Sequence, residues 1–257
     1  MPNNTIYIDP SRPRLRMKPF KAMHHMKQLI ADKEDTKHVF YILQALNGDA
    51  LKKNLIRSVS TPEGRARWIE KRALAPLLDD HASFGDLPDG SVGRAYIDFM
   101  KREGLTAAGL VEESEIRLAD EPRYHDDIDW YGCRLRDTHD MFHVLSGYGR
   151  DGLGEAALLA FSAQQSPNRG ASFISHMGFR EMRKTFGRAI DLKAVKTEAK
   201  QNGKLAEKIA DQDILALLAE PLNAVRARLN INEPRAYKKA LREIEALPID
   251  ANATLAA

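Results

Sequence analysis

The stretch from Arg136 to Glu155 limits what this chain can fold into more than any other part of the sequence. It reads RDTHDMFHVLSGYGRDGLGE, so two histidines and an aspartate come shortly before a run of glycines. On an α-helix, where each residue turns by about 100°, His143 lies about 40° and Asp140 about 100° from His139. The three side chains therefore share one quadrant of a helix, which is half of a metal site.

A straight helix could not bring Glu155 to the same place, because sixteen residues at about 1.5 Å each would carry it roughly 24 Å from His139. Glycine is the residue that allows a chain to turn sharply. The glycines of this stretch are Gly147, Gly149, Gly152 and Gly154. We therefore predict a helix, a tight glycine loop and a second helix opening at Glu155.

This geometry defines a predicted set of metal ligands: His139, Asp140, His143 and Glu155. Two neutral imidazoles and two carboxylates suit zinc, manganese or ferrous iron, and the two negative charges balance a dication. The alternative is a histidine pair that makes hydrogen bonds within a polar core.

The remaining sequence predicts an all-α, single-domain bundle of helices with the metal site between two helices joined by the glycine-rich loop. Hydrophobic residues make up 43% and charged residues 29% of the 257 residues, as in ordinary globular proteins. Thr61 before Pro62 predicts a helix start, with the helix running towards Leu78. Ser91 is a second predicted cap, and Leu205–Leu218 is predicted to be helical.

We divide the chain into a basic N-terminal arm with a first helix (1–36), a helical domain (37–232), and a C-terminal helix with a frayed tail (233–257). The arm carries six basic residues with apolar residues between them: Arg12, Arg14, Arg16, Lys18, Lys21 and Lys27. It is either a solvated first helix or a basic amphipathic element that rests on anionic lipid.

Net charge and cysteine content narrow the range of partners and cellular compartments to expect. The formal net charge of +3, from 39 basic and 36 acidic residues, is too balanced to indicate nucleic acid as a partner. Cys133 is the single cysteine, so no intramolecular disulfide can form and a reducing compartment is expected. It is read as a small core residue, with a reactive thiol as the alternative. No membrane-spanning run or secretory signal is evident, so we expect a cytoplasmic protein that could rest on the inner face of a membrane.

Several residues near the predicted ligands are candidates for substrate contacts. Arg134 and Arg136 diverge by about 200° on a helix, so at most one faces the metal. We hypothesise that Arg136 binds a substrate carboxylate through two parallel hydrogen bonds, with an ion pair to an acidic neighbour as the alternative. Asp137 is a candidate partner for a ligand histidine and, like Arg136, a candidate catalytic residue.

The run Ala156–Ala160 has unusually small side chains. Such a run either leaves an apolar groove, which under the family resemblance described below would hold an isoprenoid tail, or lets two helices pack closely. The larger apolar residues predicted to line a groove are Phe161, Phe173, Ile174 and Met177.

The pattern H-D-x-x-H, eleven residues, then E resembles the signature of the ubiquinone-biosynthesis family known as coenzyme Q biosynthesis protein four. The resemblance extends to Arg134–Thr138 and His143–Gly147 around the motif, and to the upstream blocks Thr61–Arg65 and Leu87–Tyr96. It covers roughly residues 37–232. Family members usually continue after the glutamate with a lysine and an aromatic–acid pair, whereas Ala156–Phe161 is smaller and more apolar.

The resemblance implies a helical, membrane-peripheral, lipid-binding protein that holds a divalent metal, zinc first, with manganese or iron as alternatives. It implies oxidative decarboxylation and hydroxylation of a prenylated hydroxybenzoate-type ring, a lyase-type activity. It also implies a prenylated quinone precursor or isoprenoid lipid and other ubiquinone-biosynthesis proteins as partners. A homo-oligomer stays open, since the sequence does not define the oligomeric state.

Two other functions stay open at this point. One is a prenyl-lipid-binding scaffold for the ubiquinone-biosynthesis complex, whose metal is structural. The other is a metal phosphohydrolase of the histidine–aspartate type, for which His125 and Asp191 would supply further ligands.

Overall fold

The structure is a computed structural model that describes residues 5–13, 16–32, 35, 37–82, 84, 87–117 and 122–247. Its regular elements are α1 Pro19–Ala31, α2 Lys37–Asn47, α3 Ala50–Val59, α4 Pro62–Glu70, α5 Leu74–Asp79, α6 Val92–Glu103, α7 Ala107–Arg117, α8 Asp127–Asp137, α9 His139–Ser146, α10 Gly152–Gln165, α11 Arg169–Phe186, α12 Leu192–Leu205, a 3-10 turn Ile209–Asp211, α13 Ile214–Leu217, α14 Leu222–Arg228 and α15 Arg235–Glu245. No β-strand occurs within these ranges, so the all-α prediction is confirmed.

The chain forms two compact units, each assembled from three separate stretches. The first unit is made of Met1–Arg16, Gly48–Val144 and Lys208–Val225, and the second of Met17–Asn47, Leu145–Glu207 and Arg226–Ala257. The predicted boundaries after residues 36 and 232 stay predictions.

The first unit has an apolar core where α3, α4 and α8 meet. Its buried members are Leu55, Val59, Trp68, Ile128 and Tyr131. Burying an apolar side chain of this size contributes about 1.5–3 kcal/mol, so this core fixes α8, the helix that leads into the predicted site.

Two predicted helix starts in this unit are confirmed. The side chains of Thr61 and Ser91 accept hydrogen bonds from the main-chain N–H three residues on, at 3.1 and 3.2 Å. The prediction that the first of these helices reaches Leu78 is wrong, because α4 ends at Glu70. Lys71 has a left-handed backbone with φ of 45°, which ends the helix before α5 begins.

The second unit packs α1 against α2, α2 against α11, and α10 against α11 and α12. Ala22, Met26, Ile42, Ala45 and Ile174 form the buried core between the first three of these helices. Each comes from the apolar stripe of its own helix.

The predicted helix Leu205–Leu218 is wrong. Helix α12 already ends at Leu205, and Ala206 is extended with φ of −69° and ψ of 144°. Near this end, Gly203 lies so close to α10 that a Cβ there would come 2.3 Å from the carbonyl oxygen of Phe161. Among the helices that the structure describes, none is long and apolar enough to cross a membrane.

Candidate metal centre

The break between α8 and α9 is a single residue, Thr138. Asp126 caps the start of α8: its carboxylate accepts hydrogen bonds from the N–H groups of Ile128 and Asp129, both at 3.0 Å. Thr138 is fully buried, and its hydroxyl donates to the carbonyl of Arg134 at 2.8 Å. This contact closes α8 and sets the direction in which α9 begins.

Helix α9 is buried along most of its length, which is unusual for a helix that carries ionisable side chains. Met141 and Leu145 are fully buried, and His143 is 1% exposed. The helix ends at Ser146. Arg226 donates to the carbonyl of Leu145 at 2.9 Å and so satisfies one of the carbonyl groups at this end.

The glycine loop after α9 is held by side chains as well as by backbone geometry. Gly147 adopts φ of +78°, a conformation that favours glycine. Asp151 accepts hydrogen bonds from two N–H groups at the start of α10 and from the Tyr237 hydroxyl, which itself accepts from the N–H of Gly149. A Cβ on Gly154 would come 2.2 Å from the carbonyl oxygen of Gly149, so the loop folds tightly onto the first turn of α10.

This loop returns Glu155, in the first turn of α10, to the histidines of α9. One ligand atom each from His139, His143 and Glu155 lies within 4.8 Å of the others, so this group could hold a metal ion. The two imidazole rings are nearly perpendicular, with centroids 5.0 Å apart. The predicted return of Glu155 is confirmed.

The chemistry of these donors fits a first-row divalent cation. Tetrahedral ligand atoms about 2.1 Å from a zinc ion lie roughly 3.4 Å apart, so small side-chain rotations would close the group of three around an ion.

Asp140, the fourth predicted ligand, lies outside that group of three. Its side chain is on the same helix as the two histidines, and the residue is 6% exposed. Its role as a ligand stays a prediction.

The group of three has a closed side and an open side. The ring of Phe99, on α6, stacks on the His143 ring with centroids 5.4 Å apart and an interplanar angle of 23°. The Glu155 side chain, by contrast, is 36% exposed, and one of its oxygens lies 4.0 Å from Nε of Arg150. Glu155 is therefore the more exposed of these two donors.

Arg134 has structural contacts. The residue is 5% exposed, and its guanidinium donates to the carbonyl oxygens of Ala210 and Gln212 at 2.5 and 2.7 Å. Burial lowers the pKa of this guanidinium to about 10. These two bonds hold the buried guanidinium against the chain itself, so the substrate-binding role predicted for Arg134 gains no support from its position.

Arg136 makes the ion pair with an acidic neighbour that was predicted as the alternative to substrate binding. Its guanidinium donates to Asp137 at 2.8 Å and to the hydroxyl of Ser114 at 2.9 Å. Burial raises the pKa of the Asp137 carboxyl, and the charge of Arg136 opposes this effect. Carboxylate binding by Arg136 and a catalytic role for either residue stay predictions.

The small residues of α10 allow close packing. The Ser175 hydroxyl of α11 donates to the carbonyl of Ala156 at 2.8 Å, and a Cβ on Gly178 would lie 3.4 Å from the Ala156 Cβ. The four residues predicted to line a groove are all buried or partly buried: Phe161, Phe173, Ile174 and Met177. Their contact with an isoprenoid tail stays a prediction.

Other predicted residues have structural roles. His125 is exposed with φ of 50°, and Asp191 caps α12 by accepting from the N–H of Ala194 at 3.0 Å. Neither belongs to the group of three, so the phosphohydrolase alternative gains no ligands. Burial raises the pKa of the Cys133 thiol, which favours the structural reading of this residue.

Sequence reasoning missed the support of the glycine loop. Asp151 directly precedes α10, and an aspartate in that position is a known helix-start signal that could have been used. Tyr237 had no such signal, because it lies 86 residues further along the chain.

Fold and site together define a class: an all-α protein with a two-histidine, one-glutamate candidate metal centre on a helix–loop–helix. Residues 22–235 match the model of the family described as Coenzyme Q (ubiquinone) biosynthesis protein Coq4. The chain belongs to this family.

Relatives with curated names agree with this membership. The chain is 28% identical over 110 residues to the zebrafish ubiquinone biosynthesis protein COQ4 homolog, mitochondrial, covering 43% of this chain and 38% of that protein. It is 26% identical over 184 residues to the rat homolog, covering 70% and 65%. For the Neurospora crassa protein coq-4, also named mitochondrial, the identity is 29% over 191 residues, covering 72% and 52%.

The matched stretches thus span less than two thirds of these relatives. Their names place them in mitochondria and give no support to the cytoplasmic location expected from the sequence. A crystal structure from Nostoc punctiforme PCC 73102, named for ubiquinone biosynthesis, shares the fold with a TM-score of 0.61 at 22% identity. The match covers 85% of this chain and all of that one.

Proposed function

We propose that this chain is a divalent-metal-dependent enzyme of ubiquinone biosynthesis that replaces the carboxyl group of a prenylated hydroxybenzoate-type ring by a hydroxyl group. The observation that supports this proposal most is the convergence of His139, His143 and Glu155 to within 4.8 Å. Zinc is the first choice of metal, with manganese and ferrous iron as alternatives.

The reaction is a two-electron oxidation and needs an acceptor. The bond between the ring and its carboxyl carbon breaks, a ring carbon–oxygen bond forms, and the carboxyl group leaves as carbon dioxide. With water as the oxygen source, dioxygen takes up the two electrons and two protons and becomes hydrogen peroxide. Zinc is not redox-active, so dioxygen is part of the proposal.

Each site residue has a part in this proposal. A divalent ion bound by His139, His143 and Glu155, with Asp140 as a fourth ligand, would act as a Lewis acid towards a substrate oxygen. Phe99 covers the His143 ring and keeps water from that side. The partly exposed Glu155 marks the side from which the ring enters.

A membrane-peripheral position is part of the same proposal, because a prenylated substrate is stored in lipid. Helix α1 supports it: Phe20 is 91% exposed, and Met23 and Ile30 are exposed on the same side of the helix. Lys21 and Lys27 are on this helix, which has no acidic residue. Exposed apolar residues beside cationic ones are what an anionic lipid surface attracts.

Purified protein should be analysed for bound metal and then incubated in air with a prenylated 4-hydroxybenzoate labelled with carbon-13 in its carboxyl group. We expect labelled carbon dioxide and a ring product that carries a new hydroxyl group, both seen by mass spectrometry. The variant Glu155→Gln should lose turnover, whereas Glu243→Gln, a matched change on the exposed face of α15, should not.

The scaffold alternative predicts a different pattern. A structural metal would make Glu155→Gln less stable to heat, and the wild-type protein would release no labelled carbon dioxide even when loaded with metal. That result would replace the enzymatic proposal by the scaffold.

A further inference from the structure

The C-terminal helix α15 packs against α10 and α12, within the second unit. Its first turn is held by Glu198 of α12, whose two carboxylate oxygens accept hydrogen bonds from the main-chain N–H of Ala236 at 2.9 and 3.0 Å. Ala240 and Ile244 are buried further along the same helix. Tyr237, in the first turn, is 4% exposed. These contacts fix the position from which the Tyr237 side chain extends.

The Tyr237 hydroxyl makes two hydrogen bonds to the glycine loop. It accepts from the N–H of Gly149 at 3.0 Å and donates to Oδ2 of Asp151. Gly149 approaches so closely that a Cβ there would lie 2.7 Å from the hydroxyl oxygen. Burial raises the pKa of this hydroxyl, and the charge of Asp151 raises it further, so the hydroxyl keeps the proton that it donates. Tyr237 thus joins α15 to the turn that precedes α10.

Asp151 connects this contact to Glu155. While Oδ2 of Asp151 binds Tyr237, its Oδ1 accepts from the N–H groups of Leu153 and Gly154 at 3.1 and 3.0 Å. The main-chain carbonyl of Asp151 accepts from the N–H of Glu155 at 2.9 Å. One residue therefore binds Tyr237 with its side chain and Glu155 with its main chain. A shift of Asp151 would move the backbone from which the Glu155 carboxylate extends.

We propose that Tyr237 is a positioning residue of the candidate metal centre, because through Asp151 it sets where the Glu155 carboxylate lies relative to the two histidines. Removing a group that orients a metal ligand weakens metal binding by about 10–100-fold. The assignment rests on the proposed metal-dependent function. The family match ends at residue 235, so Tyr237 lies outside it and membership of the family gives this residue no role.

The test measures cobalt(II) binding by the full chain. The variant Tyr237→Phe keeps the aromatic ring and removes the hydroxyl. We expect it to bind cobalt(II) about tenfold more weakly than the wild type, as measured by isothermal titration. The visible absorption of the cobalt(II)-saturated variant should also differ from that of the wild type, because the carboxylate ligand is displaced.

A double-mutant cycle tests whether Tyr237 acts through Asp151. Asp151→Asn keeps a side-chain oxygen that can cap α10 but replaces the acceptor of the Tyr237 proton by an amide group. We expect Tyr237→Phe to weaken cobalt(II) binding less in the Asp151→Asn background, because the hydroxyl has already lost its acceptor there. Equal losses in the two backgrounds would contradict a route through Asp151.

Tyr131→Phe is the matched control, because it removes one hydroxyl from another buried tyrosine, in the core around α8. It should bind cobalt(II) like the wild type. An equal loss of affinity in Tyr131→Phe and Tyr237→Phe would point to a general stability effect and overturn the assignment. A lower thermal unfolding midpoint of Tyr237→Phe with unchanged cobalt(II) affinity would overturn it too, since Tyr237 would then support only the fold.

The outcomes separate the two proposals. If the wild type binds no cobalt(II), the proposed metal-dependent function fails, and the assignment of Tyr237 fails with it. If the wild type binds cobalt(II), and Tyr237→Phe binds it equally tightly with the same absorption, the assignment of Tyr237 fails while the metal centre stands.

Discussion

Helices α9 and α1 differ in which side chains they bury: α9 buries ionisable side chains, whereas α1 exposes large apolar ones. Helix α9 carries His143 and Asp140 in buried positions among apolar neighbours. Helix α1 carries Phe20, Met23 and Ile30 on its exposed side, and its buried side is apolar as well.

The difference teaches where each proposed ligand would act: a cation at the donors of α9 and α10, and a lipid surface at the exposed apolar side chains of α1. Burying ionisable groups costs free energy, and exposing large apolar side chains gains none. The predictions below separate the two regions, beginning with the largest effect.

Metal binding should depend on α9 and not on histidines elsewhere. We expect His143→Ala to weaken cobalt(II) binding by at least about 100-fold, because a ligand is lost from a group of three. His176→Ala, on the exposed side of α11, serves as control and should bind cobalt(II) like the wild type. Isothermal titration measures both, and equal affinities would remove α9 from the metal site.

Acid should weaken the stability of the region around α8 and α9 more than that of α1. Helix α1 contains no carboxylate, whereas a carboxylate caps the start of α8, which leads to α9. Burial raises the pKa of Asp126, but Arg12, at 2.7 Å, and main-chain N–H groups outweigh this and lower it. Its folded pKa is therefore below the unfolded value. The resulting stability is fully present above about pH 4 and is lost as pH falls through the folded pKa.

Replacing the Asp126 carboxylate should remove this pH-dependent part of the stability. Asp126→Asn should lower the free energy of unfolding by about 3 kcal/mol at pH 7, because Arg12 loses its buried partner. Urea unfolding followed by circular dichroism should show the gap to the wild type narrowing below about pH 4. A gap that does not change with pH would mean that charge pairing is not the cause.

The glycine loop should tolerate substitution less than a glycine elsewhere. Gly154→Ala should cost about 1–3 kcal/mol of unfolding free energy, because its Cβ would overlap the carbonyl of Gly149, and it should weaken cobalt(II) binding as Glu155 shifts. Gly104 has φ of +65° with open space around it, so Gly104→Ala costs only backbone strain of about 1 kcal/mol. The control variant should keep its metal affinity, and a matching loss there would point to a general stability effect.

The exposed face of α1 should matter for lipid and not for folding. The double variant Phe20→Ser, Met23→Ser should bind vesicles containing anionic lipid about tenfold more weakly, because two side chains no longer insert. Ile116→Ser is the control: Ile116 is 69% exposed on α7, beside acidic residues. Sedimentation with vesicles measures both variants, and equal losses would contradict a specific role for α1.

Much of the site could be predicted from sequence, because its parts are close along the chain. The two histidines follow from helix periodicity, and the return of Glu155 follows from the glycines between them. The caps at Thr61 and Ser91 were predictable for the same reason, since a cap bonds an N–H three residues away.

Other features could not be predicted, because they depend on residues far apart in the chain. Arg134 resembles a substrate ligand in sequence, but its guanidinium donates to carbonyl groups 76 and 78 residues away. The helix predicted at Leu205–Leu218 is replaced by two shorter elements, and periodicity alone does not show this.

The amino-acid sequence by itself determined the all-α class, the candidate metal-ligand motif and the family, since helix periodicity and residue spacing are local properties. Tertiary structure alone decided that Phe99 lies beside α9, that Tyr237 holds the glycine loop, and that Phe20 stays exposed. The physical reason is that contacts between distant residues depend on how whole helices pack, and packing sums many weak interactions that no short stretch of sequence contains.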